Sequence, residues 1–145
     1  MQTEAQSEFF AKPVDGETVG VIVPRPLRGA LDYRVPAGMK LARGDIVEVP
    51  LGRSGMSLGI VWGPGEGVLP RERLKDVVRK FDVPPLQENL LAFVEWVANY
   101  VVASIGEVAN LILRAPDALE PEPERKAIRL GPHQPAKLTP ARARP

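Results

Sequence analysis

Residues 31–52, LDYRVPAGMKLARGDIVEVPLG, decide the fold. LDYRV and DIVEVP alternate polar and apolar residues with the period of two expected of strands, and PAG and ARGD supply the turn chemistry between them. The stretch opens on Asp32 and closes on Gly52, a carboxylate and a bare backbone position that a packed β-wall does not require.

Working outward, VGVIVP (19–24) precedes this stretch and LGIVWG (58–63) follows it, each a short β-branched run bounded by turn residues. Four such strands at this spacing predict a small antiparallel barrel-like module. Residues 74–82, LKDVVRKFD, carry mixed signals; the alternation in VVRKF predicts a fifth strand after a short turn of helix. Beyond Pro84-Pro85 the period changes. Leu86, Leu90, Val94, Val97 and Val101 recur every three or four residues, predicting an amphipathic helix. Ser104-Ile105-Gly106-Glu107 has the spacing of a capping box, which starts a second helix over about 105–114. The fold class expected is therefore α+β: a small antiparallel β-barrel-like module followed by two helices.

Residues 1–17 lack periodicity and read as a flexible arm, although Phe9 and Phe10 can dock. Seven of the sixteen prolines lie between Pro116 and Pro145, so residues 117–145 read as a Pro-rich tail or linker. The folded body expected is residues 18–116.

Composition excludes several functions. Nineteen Lys and Arg stand against eighteen Asp and Glu, a formal charge of +1, so no polybasic field draws in nucleic acid or membrane in bulk. Any such binding must be local. Cysteine is absent, which removes disulfides and thiolate metal sites and fits a reducing cytoplasm. No targeting segment is visible and no apolar run approaches the roughly 18–20 residues needed to span a bilayer, so a soluble cytoplasmic protein is expected. His133, the only histidine, sits in the proline-rich tail, leaving no base for a catalytic triad and no histidine metal set. No phosphate-cradling P-loop motif occurs. No catalytic or metal site is therefore expected in these residues, and Arg43-Gly44-Asp45 reads as a hairpin turn.

Asp32 has two readings: a turn holder that accepts backbone amides, or a carboxylate kept for a ligand. Tyr33 and Trp62 read as packing or as stacking platforms. Gly52 reads as the positive-φ residue of the GRSG hairpin, and Lys75 as a surface lysine.

The series VIVPRPL, LDYRVPAGMKLARGDIVEVPLG, GIVWG, LKDVVRKFDVPP and WVANYVVASIGEV, running in order through residues 19–116, resembles the N-terminal domain of the PriA-type replication-restart helicases, also called primosomal protein N-prime. LTPAR (138–142) resembles the start of that family's winged-helix domain. The resemblance implies a barrel-like module that recognises the 3′ end of a nascent DNA strand at an arrested or branched fork, within an ATP-dependent helicase. It implies that Leu31, Asp32, Tyr33, Gly52 and Lys75 line the end-binding pocket. Leu31 and Leu51 stand where the family usually has Phe. The resemblance also implies zinc, ATP and magnesium elsewhere in the longer protein and none in this segment. The partners it implies are DNA, other primosome proteins and single-stranded DNA-binding protein. The competing expectation is a protein-interaction module that presents Phe93, Trp96, Val97, Tyr100 and Val101 on the first helix.

Overall fold

A computed structural model describes residues 17–121. The elements in order are β1 (Thr18–Ile22), β2 (Leu31–Arg34), β3 (Ile46–Pro50), β4 (Met56–Pro64), β5 (Arg79–Lys80), α1 (Glu88–Val101) and α2 (Ile105–Ile112), with short 3-10 turns at Gly52–Ser54, Arg71–Arg73 and Pro116–Leu119. The expectations for residues 1–16 and 122–145 lie outside the described residues.

The five strands form one antiparallel sheet in the order β2-β1-β4-β3-β5. As a ladder it stays open. The segment before β5 reaches back to the opposite edge: the Arg34 amide donates to the Lys75 carbonyl at 2.9 Å, and the Val77 amide to the Arg34 carbonyl at 3.0 Å. One parallel bridge, Arg34 to Asp76, thus joins the two ends of a barrel-like sheet.

The period of two explains the two cores. Val19, Val21, Val23, Val47, Val49 and Val61 pack inside the curve of the sheet with Tyr33 and Val77. Their neighbours Ile22, Ile46 and Ile60 point outward and are covered by Phe81, Leu91, Ala109 and Leu113, so the two helices form a second layer on the sheet. Both faces of β1 are buried, which is why its sequence is almost uniformly apolar.

Several boundaries differ from the sequence reading. β1 ends at Ile22 because Pro24 and Pro26 follow, and the chain folds into two tight turns, the Arg25 amide donating to Val23 and the Leu27 amide to Arg25, each at 2.7 Å. β5 keeps only two residues, both exposed, and a 3-10 turn at Arg71–Arg73 stands before it. Past the expected end of the body, Leu119 of the turn at Pro116–Leu119 packs against the helix-side core.

Gly44 joins the sheet to the helices. Its amide donates to the Val61 carbonyl at 2.8 Å and its carbonyl accepts from the Leu86 amide at 2.9 Å. With φ at +93°, and a Cβ there lying 2.3 Å from the Leu86 carbonyl oxygen, only glycine fits. On either side, Arg43 donates to both carboxylate oxygens of Glu88 at the start of α1 and to the Trp62 carbonyl, while buried Asp45 accepts from the Ala42 amide at 2.7 Å and pairs with Lys80 at 2.9 Å. The tripeptide is a structural junction.

Candidate functional site

β2 is four residues long, and three segments distant in sequence converge on it. Because side chains alternate along a strand, Leu31 and Tyr33 face the core while Asp32 and Arg34 face away.

Asp32 fastens the loop after β4. Its Oδ1 accepts the Glu66 amide at 2.9 Å, and its Oδ2 accepts the amides of Gly67 at 2.8 Å and Val68 at 3.2 Å. Three bonds occupy three of the roughly four lone-pair sites of a carboxylate, leaving one on Oδ1 without a partner among the described residues. The turn-holding reading of Asp32 is thus observed, but the amides it holds lie 34–36 residues away instead of in its own turn. A row of converging amides fixes the carboxylate in position and direction.

Tyr33 lies inside the core, 4% exposed, and its hydroxyl donates to the Pro50 carbonyl at 2.9 Å. Burial pushes its pKa up from the ordinary 10.0. The ring packs in the core on the face of β2 opposite Asp32, and the hydroxyl ties the strand to the end of β3. Leu31 and Leu51 are half-buried against the same cluster.

Two residues past Pro50, Gly52 opens the 3-10 turn that links β3 to β4. Its φ is +51°, and no atom lies within 4 Å of where a Cβ would stand. The hairpin reading of Gly52 is observed in this positive φ, a backbone that favours glycine, and open space lies beside it.

Lys75 is exposed, its carbonyl is bonded to the Arg34 amide, and its side chain joins no ion pair among the described residues. Arg34 itself escaped the sequence reading. Its Nε donates to Asp76 Oδ1 at 2.7 Å. The available signal was its position two residues after Asp32, on the same face of one strand.

Charge is divided between the layers. Residues 17–82 hold eleven Lys and Arg against eight Asp and Glu, whereas residues 83–121 hold one against five. The near-neutral total conceals a basic sheet and an acidic helical layer. On that layer Phe93, Trp96 and Tyr100 stand exposed along α1 as a ladder, with ring centroids 6.1 and 5.2 Å apart and planes inclined by 23° and 14°. The buried stripe is instead Leu91, Val94 and Ala98, with Val97 half-buried and Val101 exposed.

A cleft of about 330 Å³ between Glu48, Met56, Arg79, Phe81, Asp117 and Glu120 shares no residue with the β2 site. It is partly filled by charge pairing, Arg79 contacting both Glu48 and Glu120. Among the described residues no group of three or more His, Cys, Asp or Glu can hold a metal ion, and no helix is long and apolar enough to cross a membrane.

Residues 20–114 match the family described as the PriA 3′ DNA-binding domain. Two curated relatives, the replication restart proteins PriA of Rickettsia felis and Rickettsia conorii, are each 30% identical over 95 and 96 residues respectively. Each match covers 64% of this chain and 14% of the relative, so the similarity spans about one seventh of those proteins.

Proposed function

The chain belongs to the PriA 3′ DNA-binding domain family, and from that premise we propose that it recognises the free 3′-hydroxyl end of a nascent strand at arrested or branched forks, without reading base identity, as part of an ATP-dependent helicase acting in replication restart. The observation that supports this reading is the Asp32 carboxylate, held by three loop amides with one lone pair unpartnered among the described residues. A strand end offers that lone pair a hydroxyl proton. An interior nucleotide brings a phosphate instead, setting two anions together with no donor between them, a difference on the order of 1–3 kcal/mol.

The remaining residues take roles that no base identity enters. Gly52 lets backbone approach the terminal nucleotide, Lys75 supplies a point charge for phosphate, and Leu31 and Tyr33, on the core-facing side of β2, brace the strand from behind. Binding of one terminus needs few phosphate contacts, so salt dependence is shallow. Partners of the longer protein are DNA, other primosome proteins and single-stranded DNA-binding protein, in the cytoplasm. Zinc finds no fitting ligand set among the described residues. Resemblance to the family supports assigning the sites for zinc, ATP and magnesium to other parts of the longer protein.

Fluorescence anisotropy with two single-stranded oligonucleotides, identical except for a 3′-hydroxyl or a 3′-phosphate, tests the proposal. The hydroxyl end is expected to bind roughly tenfold more tightly, with the preference lost in Asp32→Asn. Equal binding of the two ends by the wild type would sink it.

The exposed ladder of Phe93, Trp96 and Tyr100 favours a second reading, protein docking by α1. No Lys or Arg occurs from 83 to 113, while Glu88, Glu95 and Glu107 do, so this surface repels a phosphate backbone. Trp96→Ala separates the two roles: it leaves the end preference intact if end recognition belongs to β2.

A further inference from the structure

A nucleotide repeat runs through six backbone bonds from one phosphorus to the next, and two residues of polypeptide also run through six. An extended strand advances roughly 6.6 Å over those two residues. Side chains two apart on one strand face are therefore spaced to reach the two ends of a single nucleotide. Asp32 and Arg34 are such a pair on β2, with Tyr33 buried between them on the opposite face.

Arg34 is fixed for such a contact. Its amide donates to Lys75, its carbonyl accepts from Val77, and its Nε is held by Asp76 at 2.7 Å. The two terminal guanidinium nitrogens have no partner among the described residues. They form a planar, permanently charged fork whose geometry suits two oxygens of a phosphate. We propose that Arg34 binds the 5′-phosphate of the terminal nucleotide whose 3′-hydroxyl meets Asp32, and that Asp76 is the positioning residue that aims its guanidinium. This deepens the end-recognition reading and rests on it. The smallest complete ligand is then a nucleoside 5′-monophosphate with a free 3′-hydroxyl, recognised at both ends of its sugar and not through its base.

The test crosses protein and DNA changes. Wild type and Arg34→Gln are titrated with a 3′-hydroxyl oligonucleotide and with its twin in which the 3′-most phosphodiester is a neutral methylphosphonate. Neutralising that linkage is expected to weaken the wild type roughly three- to tenfold. Arg34→Gln should lose a similar factor on the native oligonucleotide and nothing further on the neutral one. The slope of log affinity against log salt should become shallower by about 0.7 for the variant, one phosphate contact on a single strand. Asp76→Asn should reduce sensitivity to the methylphosphonate while leaving the hydroxyl preference in place, an outcome that a merely structural pair does not produce. If Arg34→Gln weakens both oligonucleotides equally while the 3′-hydroxyl preference persists, Arg34 does not contact that phosphate and the proposal falls alone. If the wild type shows no preference for a 3′-hydroxyl over a 3′-phosphate, end recognition itself fails and takes the proposal with it.

Discussion

Asp32 and Gly67, 35 residues apart in the chain, are joined by a hydrogen bond of 2.8 Å from the Gly67 amide to the Asp32 carboxylate, flanked by like bonds from Glu66 and Val68. The same side chain therefore closes a loop and offers the candidate end sensor. Asp32→Ala is expected to lower stability by about 1–2 kcal/mol in urea unfolding and to speed hydrogen exchange at residues 66–68. The substitution does not leave the fold untouched, because three amides lose their acceptor. Unchanged exchange at those amides would show that the loop holds its shape without Asp32.

The Tyr33 hydroxyl reaches Pro50 across the mouth of the β3–β4 hairpin, so Tyr33→Phe removes one hydrogen bond and no packing. A loss of about 1 kcal/mol is expected. The pH dependence has a definite sign. Burial raises the folded pKa above 10.0, so the contribution is complete below pH 10 and is lost as pH rises through the folded value. Alkaline unfolding curves should show this loss in the wild type and lack it in Tyr33→Phe.

What the sequence revealed was local, and what it concealed was long-range. Val19, Val21, Val47 and Val49 announce strands through alternation, Pro84-Pro85 marks the change of period, and Ser104 and Glu107 mark a cap, each over a few residues. Asp32 meets its loop 34–36 residues away and Arg34 meets Asp76 42 residues away, and no short-range pattern carries such pairings. On α1, Phe93, Trp96 and Tyr100 are as apolar as the buried stripe, so hydropathy alone could not say which face the sheet would cover. The single bridge between Arg34 and Asp76 that links the two edges of the open sheet is likewise a tertiary event, since β5 is too short to signal it.

The capping box at Ser104 supplies an acid-sensitive element. Glu107 Oε2 accepts the Ser104 amide at 3.0 Å and its hydroxyl at 2.8 Å, and the Ser104 Oγ accepts the Glu107 amide at 3.3 Å. The side-chain bond to Ser104, then the backbone bond, lowers the carboxyl pKa below its ordinary 4.5. A lowered folded value means the contribution is present above pH 4.5 and disappears as pH falls through the folded value. The stability difference between wild type and Glu107→Gln should shrink across that interval. A difference independent of pH would show that the ionised form is not what caps α2.

Gly106 sets packing against propensity. In an exposed helix, Gly to Ala is worth about 1 kcal/mol in favour of Ala. Here a Cβ would stand 2.1 Å from the Arg25 carbonyl oxygen and 2.5 Å from that of Val23, both backbone atoms that cannot rotate aside. Gly106→Ala is therefore expected to destabilise by about 1–3 kcal/mol, through displacement of α2 from the turn after β1. A stabilised variant in chemical denaturation would mean that this contact is loose.

Val102 presents the opposite case, a side chain where glycine belongs. It ends α1 at φ 56° and ψ 35°, and the Ala103 amide donates to the Ala98 carbonyl at 3.0 Å, the six-to-one bond of a Schellman ending. The left-handed conformation costs a non-glycine residue about 1–2 kcal/mol, and a β-branched one is least suited to it. At 91% exposure the valine gains almost no burial in return. Val102→Gly relieves the strain but enlarges the conformational freedom of the unfolded chain, so part of the gain is cancelled. A net stabilisation of about 0.5–1 kcal/mol is expected, read as a higher denaturation midpoint at unchanged slope. A lower midpoint would show that the short link between the helices tolerates the left-handed residue without strain, and that the rigidity valine lends the unfolded chain outweighs it.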